Sequence, residues 1–298
     1  MKFPQFMVVG TARAGTTALY SYLRQHPEIF LPSVKEPCFF CFAGEEINFV
    51  KGKFAFAIND LDVYSSIYKN AGKDQLTGDI STPYLFLHKK TISNLRMLHD
   101  SPEKIKIIII LRDPAERAYS QYLWRVRDGR EEYSFEEALE REAERKKKNY
   151  SFDYFYKERG LYYEQVKDYL ENFKEVKIVL FEDLKANPAA MLAEICKFLG
   201  VDDSFIFVKR NDNPSFLPKS KMLSRLLTIE SKTKFRLLNF LPGEVRSGLK
   251  ERLMKLNKSS GEIPTMKAET REKLVNFFRE DIVKLEKLIG RDLSAWKK

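Results

Sequence analysis

Residues 6 to 27 read FMVVGTARAGTTALYSYLRQHP: a short apolar run, Gly10, a lone Arg13, Gly15, two threonines, then helix-like spacing. A strand, a glycine-containing turn and a helix N-terminus make a cradle for an anion. Free backbone N–H groups and the positive end of the helix dipole both point at whatever sits there. Gly10 and Gly15 keep the G-x-x-x-x-G interval of a nucleotide triphosphatase loop, but Thr16 stands where that loop carries its phosphate-reaching lysine. The cation of this loop is Arg13. A phosphate-like group fits such a loop, while a triphosphatase reading loses its key charge.

A second group of residues suits another anion. In KIKIIIILRDPAERAYSQY, residues 104 to 122, Arg112 ends an apolar run and Ser120 follows eight residues later. A fork-shaped guanidinium with a hydroxyl nearby matches phosphate. Taken singly, Arg112 is a strand-end salt bridge and Ser120 a helix-surface hydroxyl; their pairing beside Asp113-Pro114 favours a site.

These stretches resemble the sulfotransferases that use 3′-phosphoadenosine 5′-phosphosulfate (PAPS), in the branch shared by heparan-sulfate sulfotransferases and many bacterial enzymes. GTARAGTT is similar to the family's 5′-phosphosulfate loop, which usually has Lys where this chain has Arg13. LRDPAERAYSQY resembles its 3′-phosphate site. KEP at 35 to 37, GDISTPYL at 78 to 85, GLYYEQVKDYLENF running toward VLFEDLKANP, and the terminal LIGRDLSAW follow in the family's order. The resemblance implies PAPS as sulfuryl donor and no required metal. It assigns Thr11, Ala12, Arg13, Ala14, Gly15, Thr16, Thr17 and Ala18 to the 5′ end, with Arg13 on the bridging and leaving oxygens. It assigns Arg112 and Ser120 to the 3′-phosphate, and suggests that Lys219, Ser220 and Lys221 add to it from a closing loop. Glu36 matches the catalytic base of the heparan enzymes; its plain alternative is a surface carboxylate paired with Lys35. His26 and His88 are weaker candidates for that base. Cys38 and Ile80 replace a His and a Lys that some saccharide enzymes use, so the acceptor stays open between a carbohydrate and a small natural product, through a hydroxyl or an amine.

Positioning these residues requires particular elements. Residues 5 to 10 read as a buried strand and 15 to 25 as the helix after it. The four consecutive isoleucines within residues 104 to 112 suit a strand covered on both faces of a parallel sheet. Asp113 then caps a helix with Pro114 at its first position. A third unit is a strand at 177 to 181, a turn, and a helix from about 187 to 199 closed by Gly200. Alternating strands and helices predict an α/β fold with a central parallel sheet flanked by helices, P-loop-like as in the resembled family, with a helical C-terminal part packed against that sheet and a single domain over 1–298. The run EREAERKKKN reads as a solvated helix face.

Composition bounds the rest. The chain has 298 residues and a net charge of +10, which favours anionic partners without choosing one. No stretch approaches the roughly 20 apolar residues of a membrane span, and the N-terminus is a poor signal peptide, so no membrane partner and a cytoplasmic location are expected. Three cysteines, an odd count, argue against a disulfide framework, and CFFC has no second pair to complete a zinc site. A nucleotide kinase or triphosphatase of related fold is the competing enzyme. A basic nucleic-acid-binding protein is the competing binder, but the basic residues are interleaved with acids instead of forming a stripe, so no nucleic-acid partner is expected.

Overall fold

The computed structural model describes residues 3–52, 54, 56–208, 219–220, 256–257 and 264–298. The first half runs β1 (Phe6–Gly10), α1 (Thr16–Leu23), β2 (Ile29–Phe30), α2 (Phe39–Phe42), α3 (Leu61–Ser66), β3 (Leu76–Ile80), α4 (Pro83–Phe86) and α5 (His88–Leu98). There follow β4 (Lys106–Leu111), α6 (Pro114–Arg127), α7 (Phe135–Glu140), α8 (Glu142–Lys147), α9 (Tyr163–Asn172), β5 (Val176–Leu180), α10 (Phe181–Ala186) and α11 (Pro188–Leu199). A last long helix, α12, spans Ala268–Ile289.

The strands form one parallel sheet in the order β2-β3-β1-β4-β5. Side chains alternate between its faces, and the isoleucines of β4 show why both must be covered. Ile107 and Ile109 join one core with Met7 and Val9; Ile108 and Ile110 join the other with Phe6 and Val8. The first core is closed by α5, α6, α9 and α12, and the second by α1 and α11. Each such isoleucine, fully buried, contributes on the order of 1.5–3 kcal/mol of hydrophobic stabilisation. Because β3 and β4 flank β1 on opposite sides, the chain changes direction around β1. A crevice therefore opens beyond the carboxyl ends of β1 and β4, where ligands bind in such sheets.

The helix signals act as the sequence implies. Asp113 accepts the backbone N–H groups of Ala115 and Glu116 with Pro114 at the first helical position, and Gly200 closes α11 in the left-handed conformation. Between β5 and α11 the expected turn is a helix instead: α10 starts directly at Phe181 and breaks at Asn187, whose side chain caps α11 by accepting from Ala190 N–H.

The charged run of 140 to 149 is not simply a solvated face. Glu142 is buried and accepts the N–H groups of Lys157 and Glu158 at 2.8 Å, and Arg145 is buried against Glu131 at 2.7 Å. Neither shows as structural in the sequence, because the segment each one holds lies more than ten residues away. Helix α12 packs chiefly on α6 and α9, so it reaches the sheet's core through the helical layer. Its Asp281 accepts the N–H groups of Tyr162 and Tyr163 at the start of α9, and its Arg271 pairs with Asp113 and Glu116. All three cysteines are buried free thiols.

Candidate active site

Each strand end contributes to the crevice. Beyond β1, Thr11 still belongs to the sheet: its N–H bonds the carbonyl of Ile110 at 2.7 Å. The chain then turns through Arg13 at φ 73° and Gly15 at φ 85° into α1. The N–H of Ala14, expected to meet the anion, is given to the carbonyl of Thr11 at 3.3 Å. Thr16, Thr17 and Ala18 are the first residues of α1. Their N–H groups have no carbonyl one turn behind them to bond, which leaves them for an anion. Ala12 is half-buried within the same turn.

The two expected anion sites are joined by Arg13. Its Nε donates to Ser120 Oγ at 3.2 Å and its guanidinium lies 6.0 Å from the centre of the Trp124 ring. Arg112 Nη1 donates in turn to the carbonyl of Arg13 at 2.9 Å, while its guanidinium lies 4.8 Å over Phe181. Arg112 is itself held, since Tyr162 Oη donates to its carbonyl at 3.0 Å. Burial, then the nearby charges of Arg127 and Arg112, pulls Arg13 down to about 10. It stays a cation at neutral pH, but a crowded one, which an arriving anion would relieve.

These residues line a cavity of about 430 Å³, within the size of small-molecule sites. Arg13, Arg112, Arg127 and Lys185 supply positive charge against Glu116, and Trp124 and Phe181 supply aromatic wall. Trp124, Arg127, Phe181 and Lys185 were not singled out from the sequence. For two of them a signal existed: Ser120, Trp124 and Arg127 fall at helical spacing on one face of α6. Phe181 and Lys185 give none, because the sequence reads Phe181 as the end of a strand and Lys185 as part of a turn, where α10 stands.

Glu36 stands on the loop between β2 and α2 at φ 56°, with Cys38 at φ 54°. Together with Arg13 they are three of the four described non-glycine residues in the left-handed region. Such backbone costs free energy and persists where surroundings enforce it. Here Ser81 Oγ accepts from Cys38 N–H at 3.1 Å, and Tyr20 Oη donates to Pro32 O at 2.7 Å. Glu36 accepts from Thr82 Oγ1 at 3.3 Å and pairs with Lys35 at 3.5 Å, so the plain pairing is present alongside the placement near Arg13.

The remaining candidates are placed differently. His26 is buried in a turn, its ring bonded to Asp202 O and Glu28 N–H. His88 Nδ1 lies 2.5 Å from Asp168 Oδ2. Cys38 and Ile80 are buried, and burial pushes the Cys38 thiol well up. The backbone of Lys219 and Ser220 bonds Asn257, and neither is part of the described cavity lining. Lys221 lies outside the described residues.

A family model described as Sulfotransferase domain matches residues 3–282. The solved structure of a sulfotransferase from Alicyclobacillus acidocaldarius is 31% identical, covers 100% of both chains and superposes with a TM-score of 0.74. The bifunctional heparan sulfate N-deacetylase/N-sulfotransferase 3 of Homo sapiens is 25% identical over 99% of this chain, which spans 31% of that relative's length. The membrane-associated sulfotransferase kil1 of Dictyostelium discoideum is 32% identical over 47% of this chain and 28% of its own. Among the described residues no helix is long and apolar enough to cross a membrane.

Proposed function

Because the chain belongs to the sulfotransferase-domain family, whose sulfuryl donor is PAPS, we propose that it sulfates a hydroxyl or amine of a saccharide or small-molecule acceptor. The observation that carries this reading is the cavity in which Arg13, Ser120 and Arg112 meet beside Trp124 and Phe181. Its cations suit a ligand with anionic groups on both sides of a ribose, and its aromatic wall suits a base. The net reaction joins the acceptor's oxygen or nitrogen to sulfur, breaks the sulfur–oxygen bond to the 5′-phosphate, leaves that electron pair on the phosphate and frees the acceptor's proton.

The chain's own residues divide the work. The first N–H groups of α1 bind the 5′ end, and Arg112 with Ser120 binds the 3′-phosphate. Arg13 spans both, so its charge serves each. Glu36 takes the acceptor's proton at its carboxylate, held in place by Thr82 and by the left-handed turn. Positioning and preformed charge, not covalent chemistry, supply the rate. A kinase or triphosphatase reading finds no lysine at Thr16 to support it.

The test is binding first and transfer second. 3′-Phosphoadenosine 5′-phosphate (PAP) should raise the melting temperature by mass action, and adenosine 5′-phosphate much less, since it lacks the group that Arg112 and Ser120 hold. Arg112→Ala should abolish that difference. Labelled sulfate from PAPS should then appear on one of a pool of saccharides, phenols and amines, read by mass spectrometry. Equal shifts from the two nucleotides in the unaltered protein would sink the assignment.

A further inference from the structure

Thr16 stands where a triphosphatase loop carries its lysine. Arg13, the cation within the loop, is turned away toward Ser120 and Trp124. Lys35 enters from the other side: its Nζ donates to Thr17 Oγ1 at 2.6 Å, on the first turn of α1. We propose that Lys35 is the cation that binds the 5′-phosphate end of the donor, in the place a triphosphatase gives to its loop lysine.

Two further observations support this. The first turn of α1 carries no acidic residue, and its dipole is positive there, so an ammonium group bonded to Thr17 is held against the helix field. Glu36 Oε1, at 3.5 Å, offsets part of that charge. An anion on the α1 N–H groups would offset the rest and turn an unfavourable pairing into a favourable one. The placement is also built: Tyr20, on α1 itself, fixes the incoming loop through Pro32 O, and Ser81 fixes its far side through Cys38 N–H. Lys35 and Glu36 are each about a quarter exposed, open enough to meet ligand. The inference rests on the reading of the cavity as a PAPS site, and it adds a residue the family's loop motif does not contain.

Lys35 therefore faces the oxygen that gains charge as the sulfuryl group leaves, while Arg112 and Ser120 hold the remote end and Arg13 stands between the two. Calorimetric titration of the full chain with PAP and with adenosine 3′-phosphate, which lacks the 5′ group, separates the two ends. The unaltered protein should bind PAP more tightly than adenosine 3′-phosphate. Lys35→Met should lose about tenfold to a hundredfold in PAP affinity, the scale of one charge-assisted hydrogen bond. Its affinity for adenosine 3′-phosphate should stay within about twofold, and Lys35→Arg should recover most of the loss. In turnover, Lys35→Met should lower kcat as well as raise the PAPS KM, because the charge it meets grows in the transition state. If Lys35→Met binds PAP as the unaltered protein does, or loses both ligands alike, the inference is overturned and the cavity reading stands. If the unaltered protein does not distinguish the two nucleotides, the cavity reading falls and this inference with it.

Discussion

Glu36 holds a backbone conformation that an L-residue adopts only when the surroundings insist, and the surroundings here are a chain of hydrogen bonds. Asp79 accepts from Ser81, and Ser81 accepts from Cys38 N–H two residues beyond Glu36. Thr82, at the same strand end, donates to the Glu36 carboxylate itself. The carboxylate is thus aimed by β3, not merely exposed on a loop. Glu36→Gln keeps that shape and removes the proposed base, so turnover should fall by about 10²–10⁴ while PAP affinity stays near normal. An amine acceptor already deprotonated at the working pH would show the smaller loss. Near-normal turnover in this variant would move the base elsewhere, and loss of PAP binding would recast Glu36 as a structural residue.

The turn from β1 into α1 depends on the helix behind it. Gly15 caps α1 at φ 85°, and a Cβ there would stand 2.7 Å from Leu184 Cδ2 and 3.1 Å from Phe181 Cδ2. Those atoms belong to α10, which also places Phe181 under Arg112. Close packing of α10 on the loop therefore fixes both the loop's path and the cavity wall. Gly15→Ala should cost about 2 kcal/mol from left-handed strain and overpacking, read by urea unfolding. It should also weaken PAP binding, because the N–H groups of α1 are re-aimed. A variant as stable as the unaltered protein and equally able to bind would show that the loop yields easily.

At the scale of the molecule, burial of Asp79 ties stability to pH. Tyr64, Tyr84 and Ser81 all donate to its carboxyl group, yet burial outweighs them and pushes it up from 3.8 to about 6. The folded protein thus holds this proton more strongly than the unfolded chain does. The stability it brings is fully present below about pH 4 and is lost as pH rises through about 6. Asp79→Asn cannot titrate, so the stability of the unaltered protein relative to this variant should rise by about 2–3 kcal/mol between pH 7 and pH 4. Asp281, also raised to about 6 by burial, is present in both proteins and cancels. Denaturant unfolding across that range checks it; a flat difference would mean that Asp79 titrates normally in the fold.

The alternation of strands with helices and the glycine turn between β1 and α1 were legible in the sequence because each is a local pattern, whereas Glu36 was singled out by resemblance alone. A glycine interval, a cap with its proline and a run of isoleucines each act over a few residues. Tertiary structure alone decided how those pieces meet. It bonded Arg13, expected to act within its own loop, to Ser120 on α6. It gave the Thr11 N–H to Ile110 on β4 and the Ala14 N–H to Thr11 within the turn. It brought Lys35 to Thr17 across 18 residues and set Phe181 beneath Arg112 across a gap of 69. Such contacts leave no periodic trace, since a side chain's reach across a sheet depends on strand order and helix packing, and sequence spacing encodes neither.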